Sequence, residues 1–334
     1  MTDTFDFAIV GAGMAGASLA AELGPHARVA LLEMEERPGR HATGRSAAFW
    51  AETYGGPRIQ PLTSASGPWL AERGFLGDHG GLTIARAGQE AQLESFLTTF
   101  RAAGVQVELL DRAGVEGFVP GIRRDWIGGV YERDCRDIDV AGAHGWYLRE
   151  ARRCGVSLYC NAELAEARWN GAWHLETRQG QSLRAEILVD AAGAWADPVA
   201  RIAGVRPIGI TPYRRTIAQL RVSPVPSSRL PLIIDLAEEF YFKPESGKLW
   251  LSPHDETPSA PCDAAPEEID VALAIDRLQG VVDWTVERVE HKWAGLRSFA
   301  PDRLPVYGSD PGSPAFFWFA GQGGFGIQTA PAAA

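Results

Sequence analysis

The chain has 334 residues and a formal net charge of -10, with 46% hydrophobic and 22% charged residues. This composition is typical of a globular protein with a substantial core, and the acidic balance argues against a nucleic-acid partner, which needs a basic face. No apolar run approaches the ~20 residues of a transmembrane helix. The N-terminus lacks the features of a secretory signal and the four cysteines form no CxxC pair, so we expect free thiols and a cytoplasmic protein.

The first forty residues have the pattern of a dinucleotide-binding unit. Residues 5–10 form an apolar run typical of a buried strand, and a G-x-G-x-x-G motif begins directly after it at Gly11. Residues 14–23 are rich in alanine and leucine with a helical period, and a second apolar strand, 29–32, is followed by Glu33. A strand, glycine turn, helix, strand and acid in this order are more specific than the glycine motif alone.

The spacing of the three glycines has a physical reason. Gly11 permits the tight turn, Gly13 lets a pyrophosphate approach the backbone, and Gly16 lets the helix pack closely on the strand. The helix N-terminus offers unpaired N–H groups to the phosphates, and Glu33 can accept hydrogen bonds from a ribose. The motif therefore predicts dinucleotide binding, although it does not choose between FAD and NAD.

The segment that follows indicates a family. Residues 37–50 read RPGRHATGRSAAFW, and the stretch TGRSAA at 43–48 is followed by the pair Tyr54 and Gly55. In these features the chain resembles the FAD-dependent D-amino acid oxidase and glycine (sarcosine) oxidase superfamily, and most of all the bacterial D-arginine dehydrogenase-like proteins. The resemblance covers nearly the whole chain and implies FAD as the cofactor, with this loop beside the pyrophosphate and the flavin.

The resemblance and the glycine motif together predict the FAD contacts in four stretches: the first glycine turn, the Gly/Ser/Arg-rich loop, a turn after a middle strand and a glycine turn near the C-terminus. The predicted contacts are Gly11, Gly13, Met14, Ala15, Gly16, Glu33, Met34, Arg40, Thr43, Gly44, Arg45, Ser46, Ala47, Ala192, Gly193, Trp195, Gly323, Gly324, Phe325, Gly326 and Ile327. No cysteine lies near Arg297 or in the last glycine turn, so we expect FAD to be bound non-covalently.

The middle of the chain shows further elements in order. An amphipathic helix is predicted over 88–104, and Asp139 is placed to cap a helix over 140–154. Asn170 and the glycine after it predict a type I′ turn between two alternating strands. Residues 187–190 form another buried strand, followed by a turn of small residues that resembles the second nucleotide-side motif of the family.

The C-terminal third is more varied. The acidic, proline-rich segment 255–268 is interpreted as a solvated loop, and residues 267–280 as a helix. A last strand, AFFWFAG, precedes the second glycine-rich turn. Family members continue beyond GIQTAPA with a full helix, so the resemblance implies a truncated or unusual C-terminus and weaker FAD retention.

The order of elements predicts a mixed α/β fold, α+β overall. A Rossmann-like FAD-binding domain carries an inserted substrate domain built on an antiparallel sheet. We assign 1–79, 134–205 and 306–334 to the FAD-binding domain, and 80–133 and 206–305 to the substrate-binding domain.

The resemblance implies an amino-acid substrate, whose carboxylate needs a positively charged partner in the site. A forked guanidinium in a partly dry pocket binds such a group in a bidentate manner. The resemblance makes Arg297 this anchor and Tyr241 a hydroxyl contact to the same group. It also suggests Arg215 as a second pocket arginine, with the adjacent Arg214 an equal candidate. The alternative for Arg297 is a structural ion pair with Asp302.

Other positions are assigned by the same resemblance. Tyr54 matches a tyrosine at the active-site entrance and Gln328 a polar residue near the substrate, while Arg303 is expected to be exposed. Phe49 stands where arginine-preferring relatives have histidine, and Leu82 or a neighbour stands where they have an acid. A cationic side chain left unpaired in an apolar pocket is costly, so we expect neutral or apolar substrates.

These observations predict FAD-dependent oxidative deamination of a D-amino acid. Hydride passes from the α-carbon to flavin N5, and the imino acid hydrolyses to a 2-oxo acid and ammonia. The alternatives are an oxidase of glycine, sarcosine or another secondary amine, a 2-hydroxy-acid dehydrogenase, and a flavin-binding protein without turnover. No metal-ligand spacing occurs in the sequence, and no motif identifies the electron acceptor.

Overall fold

The structure, a computed structural model, describes residues 3–78, 80–227 and 229–334. The predicted domain limits at residues 1 and 79 lie outside the described residues. The helices are α1 (Met14–Leu23), α2 (Gln60–Glu72), α3 (Glu90–Ala102), α4 (Arg112–Phe118), α5 (Val140–Arg153), α6 (Ala196–Ile202), α7 (Glu268–Val281) and α8 (Gly326–Ala333). The strands are β1 (Asp3–Val10), β2 (Val29–Leu32), β3 (Phe49–Trp50), β4 (Leu76–Asp78), β5 (Gly81–Arg86), β6 (Val107–Asp111), β7 (Trp126–Glu132), β8 (Arg136–Ile138), β9 (Ser157–Tyr159), β10 (Leu164–Trp169), β11 (Trp173–Thr177), β12 (Ser182–Asp190), β13 (Thr211–Ser223), β14 (Leu232–Asp235), β15 (Tyr241–Glu245), β16 (Lys248–Ser252), β17 (Thr257–Pro258), β18 (Thr285–Phe299), β19 (Val306–Asp310), β20 (Ser313–Ala320) and β21 (Gln322–Gly323).

The first sheet has the order β10-β11-β12-β1-β2-β9, with β20 pairing with β12 and β19 with β20. Its centre is parallel, since β1 pairs in parallel with β12 and β2, and β2 with β9. Residues of α1 and α5 pack on one face of it and residues of α6 on the other, which is why β2 is apolar along its whole length. The carboxyl ends of β1, β2 and β12 meet at one edge, where parallel sheets place their ligands.

The second sheet has the order β21-β18-β13-β16-β15-β14-β5-β7-β6, and β17 pairs with β13. Most of its pairs are antiparallel, and its longest ladder joins β13 to β18 from Thr211↔Phe299 to Ser223↔Thr285. Residues of α7 and α4 cover its apolar face. A third, three-stranded sheet has the order β3-β8-β4.

The two large sheets draw on different parts of the chain. Strands of the first come from the segments assigned to FAD binding, and strands of the second from the segments assigned to the substrate domain. The exception is β21, which follows β20 of the first sheet and pairs with β18 of the second. The chain thus joins the two sheets immediately before α8. The division into two domains at the predicted boundaries stays a prediction.

Most predicted elements are found near their expected positions. The cap of α5 is confirmed, because the Asp139 carboxylate accepts a hydrogen bond from the Gly142 N–H. The type I′ turn is wrong: Trp169 pairs with Trp173, so the loop has three residues, of which Gly171 takes a φ of +70°. A two-residue turn was expected because asparagine followed by glycine is its commonest sequence signal.

The interpretation of 255–268 as a solvated loop is also wrong in part. The Asp255 carboxylate is buried and accepts hydrogen bonds from the Thr216 N–H and hydroxyl at 2.7 and 2.9 Å. Asp263 reaches back to two arginines of the 37–50 segment. The segment is therefore attached to the rest of the protein through Asp255 and Asp263, while many of its other residues are exposed.

Candidate active site

A cavity of about 400 Å³, which we call the main cavity because the glycine motif opens onto it, lies along the line where the first and second sheets meet. One end is bounded by the glycine turn after β1 and by Glu33. The other end is bounded by Tyr54, Arg215, Tyr241 and Arg297. The wall between them is formed by the loop 39–49, the turn 191–195 and the start of α8. We call these the dinucleotide end and the substrate end.

The dinucleotide end depends on close backbone approach. Gly11 takes a φ of +99°, and a Cβ there would lie 2.5 Å from the Ala191 carbonyl oxygen. A Cβ on Gly16 would lie 1.8 Å from the Gly11 carbonyl oxygen, so α1 can start this close to β1 only without a side chain. These contacts bring the turns after β1 and β12 together under the N-terminus of α1.

Glu33 is bound to the glycine turn itself. Its carboxylate accepts hydrogen bonds from the backbone N–H groups of Ala12 and Glu35, both at 3.0 Å. Burial raises the pKa of this carboxyl from its ordinary value, and these hydrogen bonds oppose the rise. Each carboxylate oxygen has a second lone-pair direction, so the residue can still accept a ribose hydroxyl.

The Gly/Ser/Arg-rich loop is tied to α1. The Thr43 hydroxyl accepts a hydrogen bond from the Met14 N–H at 2.9 Å, and a Cβ on Gly13 would lie 3.1 Å from that hydroxyl oxygen. The side chains of Arg40 and Arg45 both pair with Asp263. Their hydrogen bonds, from Arg45 first, lower the pKa of the Asp263 carboxyl.

Sequence reasoning missed several residues of this end, and two of them connect distant segments of the chain. One is Asp263, whose acidic segment gave no sign of a distant partner. The other is His144, whose Nε2 lies 2.9 Å from the Ala12 carbonyl oxygen. Burial lowers the pKa of His144, which favours the neutral ring with Nε2–H as the donor. Its place on α5 could not be linked to the glycine turn without the fold.

The predicted FAD contacts fall into two groups, those that line the cavity and those that do not. Gly16, Gly44 and Phe325 do not line the cavity. The remaining predicted contacts do: Gly11, Gly13, Met14, Ala15, Glu33, Met34, Arg40, Thr43, Arg45, Ser46, Ala47, Ala192, Gly193, Trp195, Gly323, Gly324, Gly326 and Ile327. Their contacts with FAD stay predictions.

The substrate end collects polar and aromatic side chains from separate elements. Arg297 donates a hydrogen bond to the Tyr54 hydroxyl, and its guanidinium carbon lies 5.8 Å from the centre of the Tyr54 ring. The Phe49 ring is 4.8 Å from the Tyr54 ring and 6.1 Å from the Tyr241 ring, both edge-on. The expected alternative for Arg297, an ion pair with Asp302, is not formed in the structure.

The two neighbouring arginines of β13 have different surroundings. Arg214 pairs with Glu267 and Asp270, whereas Arg215 lines the cavity and is only 4% exposed. Arg215 Nε donates to the Asp255 carbonyl at 2.9 Å. Its Nη2 lies 3.5 Å from a Glu256 carboxylate oxygen, an ion pair without a hydrogen bond, and Nη1 has no partner among the described residues. Burial, and then the charge of Arg297, lowers the pKa of Arg215 to about 10.

Gln328 is engaged by the protein. Its Oε1 accepts from the Ala51 N–H at 3.3 Å, and its Nε2 donates to the Tyr54 carbonyl at 3.1 Å and the Thr63 hydroxyl at 2.9 Å. The residue joins α8 to the segment that carries Tyr54 and also lines the cavity, and its place near the substrate stays a prediction. Gly324 completes this end, because a Cβ there would lie 2.8 Å from the guanidinium carbon of Arg297.

The expectation that Leu82 or a neighbour on β5 stands beside the substrate is wrong. The side chain is 1% exposed and packs in the apolar core of the second sheet, and no residue of β5 lines the main cavity. Alternation along β5 turns Leu82 toward that core. The prediction about substrate charge must therefore rest on the residues that do line the cavity.

The cavity fits FAD. It offers a backbone free of Cβ atoms beside a helix N-terminus, which suits a pyrophosphate, and a buried acid at the end of β2, which suits a ribose. The chain matches the model of the DAO family, FAD dependent oxidoreductase, over residues 6–334. The chain belongs to this family.

Relatives and solved structures agree with this assignment. The chain is 27% identical to a glycine oxidase of Geobacillus kaustophilus (strain HTA426), over 99% of the chain and 91% of that protein. It is 25% identical to an L-2-hydroxyglutarate dehydrogenase of Salmonella houtenae, over 69% of the chain and 60% of that protein. The solved glycine oxidase from G. kaustophilus superimposes with a TM-score of 0.87 at 24% identity, covering 99% of this chain and 93% of that one.

A further fold match is the FAD-bound L-alpha-glycerophosphate oxidase from Mycoplasma pneumoniae, with a TM-score of 0.90 at 17% identity, covering 99% of this chain and 93% of that one. The protein is thus an FAD-dependent oxidoreductase of the DAO family, and the superfamily prediction is confirmed. These relatives do not support a particular closeness to D-arginine dehydrogenases. No helix in the described part of the chain is long and apolar enough to cross a membrane.

Proposed function

We propose that this DAO-family oxidoreductase deaminates a D-amino acid with a neutral or apolar side chain. One observation carries the proposal: two guanidinium groups, of Arg215 and Arg297, line the same end of the cavity as three aromatic rings. Two positive charges in a partly dry pocket favour a bound anion, and a substrate carboxylate is the anion that this reaction class requires.

The two arginines suit a shared carboxylate. The terminal nitrogens of Arg215 make no hydrogen bond, although Nη2 lies 3.5 Å from the Glu256 carboxylate, and a ligand that supplies acceptor oxygens would satisfy these buried donors. Arg297 is oriented by the Tyr54 hydroxyl, so its guanidinium is already held when substrate arrives. Orientation in advance reduces the entropy lost on binding.

The same charges support a neutral side chain on the substrate. A cationic side chain placed beside Arg215 and Arg297 would be repelled, and the rings of Phe49, Tyr54 and Tyr241 offer it no carboxylate. An apolar side chain gains from contact with these rings. This reasoning replaces the one based on Leu82.

The residues of the substrate end bind and orient rather than transfer protons. Burial raises the pKa of the Tyr241 phenol, so it remains protonated and able to donate a hydrogen bond. The amine of the substrate must lose its proton before the α-carbon is oxidised, and solvent can accept it. When bound, FAD supplies the hydride acceptor. The released imino acid hydrolyses to a 2-oxo acid and ammonia.

A second candidate is an oxidase of glycine, sarcosine or another small secondary amine. It is favoured by the crowding of Phe49 between Tyr54 and Tyr241, at 4.8 and 6.1 Å, which limits the room beside the α-carbon. The glycine oxidase relative covers 99% of the chain. The two candidates share the anchor and differ in the size of the group on the α-carbon or the nitrogen.

The experiment is anaerobic bleaching of the flavin spectrum by a panel of substrates. The panel contains D-leucine, D-phenylalanine, D-arginine, their L-forms, glycine, sarcosine and L-2-hydroxyglutarate. We expect D-leucine or D-phenylalanine to reduce the flavin fastest and D-arginine to be poor. Fastest reduction by glycine or sarcosine would favour the second candidate, and a spectrum that stays oxidised throughout would indicate flavin binding without turnover.

The proposal includes a cytoplasmic location and an electron acceptor that is either oxygen, a quinone or a carrier. The four cysteines are free in the structure, as expected for a cytoplasmic protein. Reoxidation of the bleached enzyme by oxygen, compared with a quinone or a carrier dye, distinguishes an oxidase from a dehydrogenase.

A further inference from the structure

The segment 51–56, which we call the tyrosine turn, carries Tyr54 between β3 and α2. Two side chains hold it from opposite sides. Gln328 of α8 contacts the Ala51 N–H and the Tyr54 carbonyl. Glu132, at the end of β7 in the second sheet, accepts hydrogen bonds from Glu52 and Thr53. Both sets of contacts hold the backbone next to Tyr54, whose hydroxyl receives the hydrogen bond from Arg297.

The contacts of Glu132 are unusual for a buried acid. The side chain is 3% exposed, and its carboxylate accepts hydrogen bonds from the Glu52 N–H at 2.6 Å, the Thr53 hydroxyl at 2.6 Å and the Thr53 N–H at 3.4 Å. All three donors come from the tyrosine turn. No arginine or lysine pairs with this carboxylate among the described residues, so its charge is compensated by the turn alone.

We propose that Glu132 is a positioning residue whose ionised carboxylate fixes the tyrosine turn, so that the site captures a carboxylate ligand less well once Glu132 takes up a proton. The inference rests on the proposed function to the extent that Arg297 and Tyr54 bind the substrate carboxylate. It adds a residue that neither lines the cavity nor touches the substrate.

Protonation of Glu132 weakens its hold on the turn because it reduces the number of hydrogen bonds that the carboxyl group can accept. An ionised carboxylate accepts all three hydrogen bonds, whereas a protonated one carries its own O–H, which must face a donor or displace it. Burial raises the pKa of Glu132 to about 7, the charge of Glu52 adds to the rise, and the hydrogen bonds from Thr53 and Glu52 oppose it. Protonation therefore falls within the range in which an enzyme is ordinarily assayed.

The other groups around Glu132 do not reverse the rise in its pKa. The residues opposite it on β5 and β6 are Gly81 and Val107, which carry no charge. The thiol of Cys135, on the turn after β7, is kept protonated because burial raises its pKa well above the ordinary value. Glu52 is the charged neighbour that acts on Glu132, and its side chain bonds to the Ser64 hydroxyl.

The test uses FAD-loaded enzyme and benzoate as a carboxylate probe. Its Kd is measured by titration calorimetry between pH 5.5 and 8.5 for wild type, Glu132→Gln and Glu52→Gln. We expect wild-type affinity to fall roughly tenfold per pH unit below the pKa near 7. Glu132→Gln should bind at least tenfold more weakly at pH 8 and show no such fall. Glu52→Gln removes the neighbouring charge, so the fall should begin at lower pH.

The matched control is Glu108→Gln, which makes the same chemical change at an exposed position on β6. It should leave both the affinity and its pH profile unchanged. Hydrogen exchange of the peptide covering 51–56 gives a readout independent of any ligand: Glu132→Gln should accelerate exchange there, and Glu108→Gln should not. FAD content and Tm confirm that each variant is folded.

The outcomes separate this inference from the proposed function. Glu132→Gln with the affinity, pH profile and exchange of wild type overturns the inference. If Glu132→Gln does not fold, an unchanged pH profile in Glu52→Gln overturns it instead. If wild type binds no benzoate, the carboxylate anchor of the proposed function is wrong, and exchange at 51–56 alone then decides whether Glu132 holds the turn.

Discussion

The dinucleotide end of the main cavity is built from residues that are close in sequence, whereas the substrate end collects side chains from elements far apart in the chain. Gly11, Gly13, Gly16 and Glu33 all belong to one strand–helix–strand unit. The substrate end instead brings together β3, the tyrosine turn, β13, β15 and β18. Its geometry depends on pairings such as Tyr213↔Arg297, which join residues far apart in sequence.

The difference predicts that cofactor retention and substrate capture can be lost separately. At the dinucleotide end the binding surface is backbone, so an added side chain does harm through its volume. At the substrate end the binding surface is charge and hydroxyl, so loss of a side chain does harm. The predictions below test this separation, beginning with the largest expected effect.

Gly16→Ala should abolish FAD retention. The new Cβ would lie 1.8 Å from the Gly11 carbonyl oxygen, so α1 must move away from the turn that faces the pyrophosphate. An overpacking cost of about 3 kcal/mol corresponds to roughly a hundredfold loss of FAD affinity. FAD content after gel filtration measures it. Gly117→Ala, where a Cβ meets nothing within 4 Å, is the control and should retain FAD.

Arg297→Ala should impair substrate capture and spare the cofactor. Removing one partner of a buried charge pair costs about 2–5 kcal/mol, and a loss of about 3 kcal/mol corresponds to a fall in kcat/KM of roughly a hundredfold. FAD content should match wild type. Arg288→Ala, at an exposed arginine of the same strand, should behave as wild type in both measurements. Equal loss of FAD and of substrate capture in Arg297→Ala would contradict the separation of the two ends.

Glu132 should give the protein a pH-dependent stability. Its folded-state pKa, about 7, is above the ordinary 4.5, so between these pH values the folded state holds the proton and the unfolded state does not. The free energy of unfolding should therefore fall as pH rises from 4.5 to 7, by about 3 kcal/mol for this group. Urea unfolding at a series of pH values measures the free energy of unfolding of wild type and Glu132→Gln. The same change of this free energy with pH in both proteins would refute the prediction.

Asp263→Asn should have the smallest effect. The residue pairs with Arg40 and Arg45 at the wall of the dinucleotide end, but its side chain is 51% exposed. Ion pairs in contact with water contribute little, so FAD affinity should change by less than about threefold. A Kd from fluorescence quenching of added FAD measures it. Cys262 and Ala264 of the same segment line the cavity, so a change as large as that of Gly16→Ala would show that the Asp263 ion pairs hold this wall in place.

A good part of the fold could be predicted from local sequence. The bounds of α1 and β2 match the expectation, since both depend on apolar periodicity and α1 follows directly on the glycine turn after β1. The hairpin loop at Asn170 was mispredicted because one extra residue changes the turn type while the dipeptide signal remains the same. Local patterns thus locate an element better than they define the register of its partner.

The candidate site shows the same limit. The sequence could not choose between Arg214 and Arg215, because their neighbours in the chain are alike. The structure distinguishes them, since Arg214 meets Glu267 and Asp270 while Arg215 faces the cavity. Leu82 was placed near substrate by resemblance, and strand alternation puts it in the core instead.

The sequence by itself determined the dinucleotide-binding unit, because a strand, a glycine turn, a helix and an acid in close succession have few ways to pack. It also indicated the family, through motifs spread along the whole chain. Only the tertiary structure decided which arginine faces the cavity, that Gln328 is used by the protein, and that Glu132 holds the tyrosine turn. These depend on strand register and on contacts between distant segments, which no local pattern encodes.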